Sequence, residues 1–314
     1  MPFSLRYVLT DVFTDRPFGG NPLAVFPDAA ELTTSEMQSI ARELNLSETT
    51  FVAPAPPGAE GHTVRIFTPL TELPFAGHPT IGTALVLDSL AKRDCHGATA
   101  RRHTILLHER IGIVPVEILH SEGARRAVLS SPSIPERAGQ PADRAILARL
   151  LGLETADVLE GTVAPQCLSA GVPFTFIPVR DRATLSRARL NGAAWQESLA
   201  DSNAPHIYVM AMSDWREGDT VDARMFAPAM GIPEDPATGV AAVALAGYLS
   251  TIQNLKHGRT NFLIRQGEDM GRPSQLDLAI DCDNGRLSGV HVGGQAIIIG
   301  QGALDWACLR ISAP

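Results

Sequence analysis

The stretch "EDPATGVAAVALAGYL", residues 234–249, decides how the rest of the chain is read. Glu234, Asp235 and Pro236 lead into a run of Ala, Val and Leu that carries Gly239 in its first turn. Proline is tolerated at a helix start because the N–H it lacks would have no intrahelical partner there. A helix over 238–250 is predicted, with Asp235 as its N-cap, a role worth roughly 1 kcal/mol for this residue type. The run is apolar almost all round, so the helix is expected to be wrapped by protein on every side.

The same frame occurs earlier in the chain. In "RIFTPLTELPFAGHPTIGTAL" (65–85) and "RMFAPAMGIPEDPATGVAAV" (224–243), Arg65, Phe67, Pro69 and Pro74 match Arg224, Phe226, Pro228 and Pro233 at a constant offset. After a two-residue difference in the loop, Pro79 and Gly82 match Pro236 and Gly239. A second buried helix is therefore predicted over 79–92, with His78 as its N-cap. Histidine is not a favoured cap, which makes His78 more informative about function than Asp235. A repeated strand–loop–helix unit implies two related halves. Helix starts present free N–H groups and about half a positive charge, and first-turn glycines allow close approach. A pseudo-twofold would turn both helix starts toward one cleft, with Asp235 facing His78 and the amides near Gly77, Thr80, Thr238 and Gly239 open to a small carboxylate.

Strand patterns fall near 5–13, 22–26, 49–53, 62–68, 103–107, 111–119, 126–130, 172–179, 206–212 and from 260 onward. "TTSEMQSIAREL" carries a capping box, Thr33 with Glu36, ahead of a helical run, and another helix is predicted near 141–151. "SSPSIPERAGQPADR" (130–144) is the best linker candidate. The predicted domains are 1–127 together with 302–314, and 128–301.

Composition excludes several classes. The 314 residues suit two domains. No apolar stretch reaches the roughly 18 residues of a membrane span, and the N-terminus lacks the form of a secretory signal. A cytoplasmic location is expected. A net charge of -8 speaks against nucleic-acid or anionic-membrane partners. Cys95, Cys167, Cys282 and Cys308 lie far apart with no ligand spacing, and are expected to be reduced and buried, with no metal site.

At this point the chain resembles the phenazine-biosynthesis PhzF-like isomerases, which share the diaminopimelate epimerase fold. The matching stretches are "DVFTDRPFGGNPLAVF", "ARELNLSETTFV", "VRIFTPLTELPFAGHPTIGTA", "RMFAPAMGIPEDPATGVAA" and, more weakly, "QGEDMGRPS". The resemblance implies an α+β protein of two similar domains, each a curved, mostly antiparallel sheet around a central helix, with the active site between them. It implies a cofactor-independent isomerase that moves a proton on a small unsaturated or amino-bearing carboxylic acid. Glu48 of "LSET" would be the general acid/base, and His78 and Asp235 would orient substrate and assist proton movement. Asn21, Gly77, Thr80, Thr238, Gly239 and Val240 complete the expected substrate-binding set. Family members often dimerise, which implies a homodimer.

Read from its surroundings alone, Glu48 is a turn residue. Apolar neighbours such as Leu46 and Phe51 are expected to raise its pKa toward neutrality. Related epimerases use a cysteine pair at the two helix starts, and this chain has none there, which disfavours two-thiol racemisation. Val240 stands where the phenazine enzyme has serine, so a different substrate is implied. The alternatives are a non-catalytic small-carboxylate-binding protein on the same fold and an amino-acid epimerase-type enzyme.

Overall fold

The computed structural model describes residues 4–91, 101–121, 124–212 and 220–305. Cys95 and Cys308 lie outside them; Cys167 and Cys282 are free and buried. Contacts divide the chain into two units, one running to Leu129 and resuming at Gly293, the other Ser130–Val292.

The first unit contains β1 (Ser4–Val12), β2 (Asn21–Phe26), α1 (Thr34–Leu44), β3 (Glu48–Pro54), β4 (His62–Phe67), β5 (Glu72–Leu73), α2 (Gly77–Leu90), β6 (Arg101–Glu109), β7 (Gly112–Ser121) and β8 (Ala124–Ser130). The second contains β9 (Glu136–Arg137), α3 (Arg144–Leu151), β10 (Gln166–Ser169), β11 (Pro173–Val179), α4 (Arg182–Arg187), α5 (Gly192–Ser198), β12 (His206–Ala211), β13 (Thr220–Ala227), β14 (Ile232–Asp235), α6 (Gly239–Ile252), β15 (Gly258–Gln266), β16 (Ser274–Asp283) and β17 (Arg286–Gly294). The last strand, β18 (Ala296–Asp305), pairs antiparallel along β1 from Ser4 to Val12, which ties it to the first unit.

Strand pairing repeats between the units. In the first, β1–β2 is antiparallel, β2–β3 parallel, β3–β4 and β4–β5 antiparallel, β4–β6 parallel and β6–β7 antiparallel. In the second, β10–β11, β11–β12, β12–β13, β13–β14, β13–β15 and β15–β16 follow the same sequence of directions. The two frames of sequence are therefore equivalent pieces of one topology.

Each unit is built around one helix. α2 packs against β1, β2, β3, β6, β7 and β18, and α6 against β10, β11 and β16. All-round apolarity produces this, because no face of either helix can be left in water without exposing apolar area. Gly82 lets α2 come close: a Cβ there would stand 2.5 Å from Val12 Cγ2 and 2.7 Å from Leu23 Cδ2. Outer helices cover the other sheet faces. α1, closed by the Thr33–Glu36 capping box and by Asn45 in left-handed conformation, lays Met37, Ile40 and Ala41 on Phe26, Phe51 and Phe67. In the second unit α3 and α5 bury Leu147, Leu151 and Trp195 against Ile177, Val209 and Phe226. The short α4 and α5 and the strands β5 and β14 carry too few periodic residues to be read from sequence.

Two expectations about the helix starts are corrected. α2 begins at Gly77 with Ala76 as N-cap, so His78 lies inside the first turn and not at the cap. α6 begins at Gly239 with Thr238 as N-cap, which leaves Asp235 as the last residue of β14. The first four N–H groups of any helix lack intrahelical partners, so Pro79 fits beyond the first position and cannot fix the residue before it as the cap.

Candidate active site

The expected site residues fall into two groups, one in each unit. In the first unit Glu48 opens β3, opposite Leu23 of β2. The preceding Ser47 donates from Oγ to Asn21 Oδ1 at 2.9 Å, so the fully buried Asn21 fixes the turn through which Glu48 enters the strand. Side chains alternate faces along a strand, so Glu48 shares a face with Thr50. Thr50 and Thr83 of α2 hydrogen-bond through their hydroxyls at 2.8 Å, which identifies that face as the one covered by the central helix. Glu48 Oε2 and His78 Nε2 consequently meet at 3.4 Å, with both side chains almost withdrawn from solvent.

The same alternation corrects the expected surroundings of Glu48. Phe51 points to the opposite face, and both it and Leu46 belong to the apolar cluster under α1. The pair of Glu48 and His78 is instead enclosed by the start of α2. Burial drives the His78 imidazole down to about 3, so it is neutral across the physiological range. Among the described residues its Nε2 makes no hydrogen bond of good geometry. A carboxyl group beside a neutral imidazole that is both donor and acceptor can take up and return a proton.

The start of α2 also contains a group that sequence reasoning missed. Thr80 donates its backbone N–H to Ala76 O at 3.2 Å, so that amide is not open to a ligand. Its hydroxyl lies 2.7 Å from Ala76 O and 2.7 Å from Glu109 Oε1. The Thr80 hydroxyl donates toward both acceptors and one proton cannot serve both fully, so it holds a charged Glu109 only weakly, and protonation of Glu109 would relieve the competition. Burial agrees, pushing Glu109 up to about 7 against the pull of the Thr80 hydrogen bond. Glu109 ends β6, far from any motif, and nothing local in the sequence marks it.

In the second unit the buried Asp235 accepts a hydrogen bond from the Thr238 hydroxyl. Gln266 Nε2 donates to Asp235 O at 2.8 Å and to Thr238 Oγ1 at 3.0 Å, and Tyr208 OH donates to Gln266 Oε1 at 3.3 Å. Burial, with the Asp235 charge second, pushes the Tyr208 phenol upward and keeps it a neutral donor. Gln266 opens the weak motif "QGEDMGRPS", and the next residue shows why the motif is there. Gly267 has φ +78, and a Cβ would stand 2.3 Å from Arg272 O and 2.7 Å from Pro236 O. Gly239 and Val240 form the first turn of α6, where N–H groups have no intrahelical partner; Val240 is part-exposed.

Known proteins match this chain along almost its whole length. The profile of the phenazine biosynthesis-like protein family matches residues 10–302. The chain belongs to that family. It is 34% identical over 303 residues to the trans-2,3-dihydro-3-hydroxyanthranilate isomerase of Pseudomonas chlororaphis, covering 95% of this chain and 99% of that one. It is 37% identical over 304 residues to an uncharacterised isomerase of Mesorhizobium japonicum, covering 95% and 98%. The crystal structure of the Bacillus anthracis PhzF-family phenazine biosynthesis protein superposes with a TM-score of 0.84 at 23% identity, covering 96% of this chain and 99% of that one. The fold is the α+β architecture implied by the resemblance, and this family member is an isomerase. No helix among the described residues is long and apolar enough to cross a membrane.

Proposed function

We propose that the chain isomerises a small unsaturated or amino-bearing carboxylic acid by moving one proton between carbons, with Glu48 as the general acid/base. The observation that carries this reading is the 3.4 Å approach of Glu48 to a His78 that burial keeps neutral. Glu48 takes the proton from one carbon and returns it to another. His78 steadies the charge that develops on the substrate by hydrogen bonding, without itself becoming a cation. The step conserves atoms and electrons within the substrate, so no cofactor enters this reading. The relatives named trans-2,3-dihydro-3-hydroxyanthranilate isomerase give the first compound to try. Val240, where the phenazine enzyme has serine, removes a hydroxyl and favours a related acid as the true substrate. The resemblance assigns Asp235 to substrate binding. Its carboxylate, fed by Thr238, is suited to hold an amino or hydroxyl group.

The test is deuterium incorporation followed by NMR with a panel of unsaturated and amino acids, beginning with trans-2,3-dihydro-3-hydroxyanthranilate. Glu48→Gln is expected to lower exchange roughly 100- to 10,000-fold while saturation-transfer signals still report ligand binding. Exchange at the parent rate in that variant would remove Glu48 from the chemistry. A ligand that binds the parent without any exchange would favour the non-catalytic reading instead.

A further inference from the structure

The far end of α2 carries a second group of titratable residues that proton transfer at Glu48 does not use. Asp88, in the last turns of the helix and 1% exposed, is approached by two histidines from the β6–β7 hairpin. His103 Nε2 lies 3.0 Å from Asp88 Oδ1 and His120 Nε2 lies 3.1 Å from Oδ2. The two imidazoles stack with centroids 5.7 Å apart, and one ligand atom from each of the three residues lies within 4.8 Å of the other two. Among the described residues neither Asp88 oxygen receives an aligned hydrogen bond, despite the closeness of the nitrogens. A fully buried carboxylate with no aligned donor, placed at the negative end of a helix, is costly unless a cation neutralises it.

The fold does not require these residues. At the same distance from Pro236 as Asp88 is from Pro79 stands Leu245. His103, third in β6, corresponds to Thr260, third in β15, and His120, ninth in β7, to Cys282, ninth in β16. The second unit thus closes the same corner with an apolar side chain, a hydroxyl and a thiol.

We propose that Asp88, His103 and His120 form a binding site for a zinc-like divalent cation. Two imidazole nitrogens and a carboxylate oxygen are a ligand set suited to zinc, with a fourth position left to water. Ligands bonded at about 2.0–2.1 Å around a tetrahedral ion stand roughly 3.4 Å apart, close to the two His–Asp separations. Arg125 Nε, 3.5 Å from Asp88 Oδ2, is the competing cation. Its part-exposed side chain can swing its head into solvent when the ion enters.

Calorimetric titration of EDTA-treated, dialysed protein with zinc chloride tests this. One equivalent is expected to bind with Kd below roughly 10 µM and to raise Tm by several degrees. Because His103 is partly exposed, His103→Gln should fold normally, yet lose at least roughly tenfold in affinity and the Tm rise. Arg125→Gln should tighten binding by about tenfold, and Glu48→Gln should leave it unchanged. Cobalt(II) in the parent should give the visible spectrum of a four-coordinate ion, lost in His103→Gln. Absence of stoichiometric zinc binding overturns the proposal. So does binding that survives in His103→Gln, or binding that disappears in Glu48→Gln, which would place the ion at the acid–histidine pair.

Discussion

The two units use one topology and differ in how they finish it. In each, an arginine of the shared frame lies over the phenylalanine two residues on, 5.1 Å from the ring centroid, and makes a bidentate pair with a glutamate of the following short strand. Arg65 with Glu72 sits near the surface and adds one hydroxyl contact to Thr34. Arg224 with Glu234 is 4% exposed and also donates to the carbonyls of Leu185 and Ala188. β3 opens on Glu48 and β12 on His206; His78 precedes the helix proline in one frame and Asp235 in the other. β6 ends on Glu109 and β15 on Gln266, and each reaches a threonine beside its central helix start. The scaffold is shared, and the residues proposed to carry the chemistry are ones that the repeat does not conserve between its halves.

The largest stability difference should come from the arginines. Arg224→Ala strands Glu234 and two buried carbonyls, and is expected to cost about 3–5 kcal/mol in denaturant unfolding. Arg65→Ala removes a partly solvated pair and should cost about 1 kcal/mol or less. Equal losses would break the comparison, because they would mean that burial does not separate the two copies.

Glu109 and Gln266 differ instead in that Glu109 titrates and Gln266 does not. A carboxyl raised from its ordinary value near 4.5 to about 7 contributes stability that is fully present below 4.5 and is lost as pH rises through 7. Unfolding free energy should therefore fall by up to about 3 kcal/mol between pH 4.5 and 7.5 on account of this group. Glu109→Gln gives the first unit the amide that the second already has, and should flatten that part of the profile with little loss at pH 5. A profile unchanged by the substitution would mean that Glu109 is ionised throughout and that Thr80 shares its proton.

A further effect concerns packing at the helix start. Gly82→Ala drives a methyl into Val12 and Leu23, and should cost about 1–3 kcal/mol in thermal or denaturant unfolding. A neutral result would show that β1 and β2 can move away from α2, and that Gly82 is not what sets their spacing.

The sequence by itself determined that two strand–loop–helix frames exist and that each ends in a buried helix; Glu48 of "LSET" as a site candidate, and the role of His78 of "AGHP", came only through the family resemblance. Those signals are local: apolar residues at every helical angle, a proline at a helix start, a repeated order of Arg, Phe and Pro. Tertiary structure alone decided which strand face Glu48 occupies, and therefore that His78, and not Phe51 or Leu46, is its neighbour. It alone moved the helix caps to Ala76 and Thr238, because caps are set by backbone dihedrals and proline leaves several first-turn positions open. It alone brought Glu109 to Thr80, and His103 and His120 to Asp88. Those meetings join residues from different elements through strand register and helix packing, and no spacing along the chain encodes them.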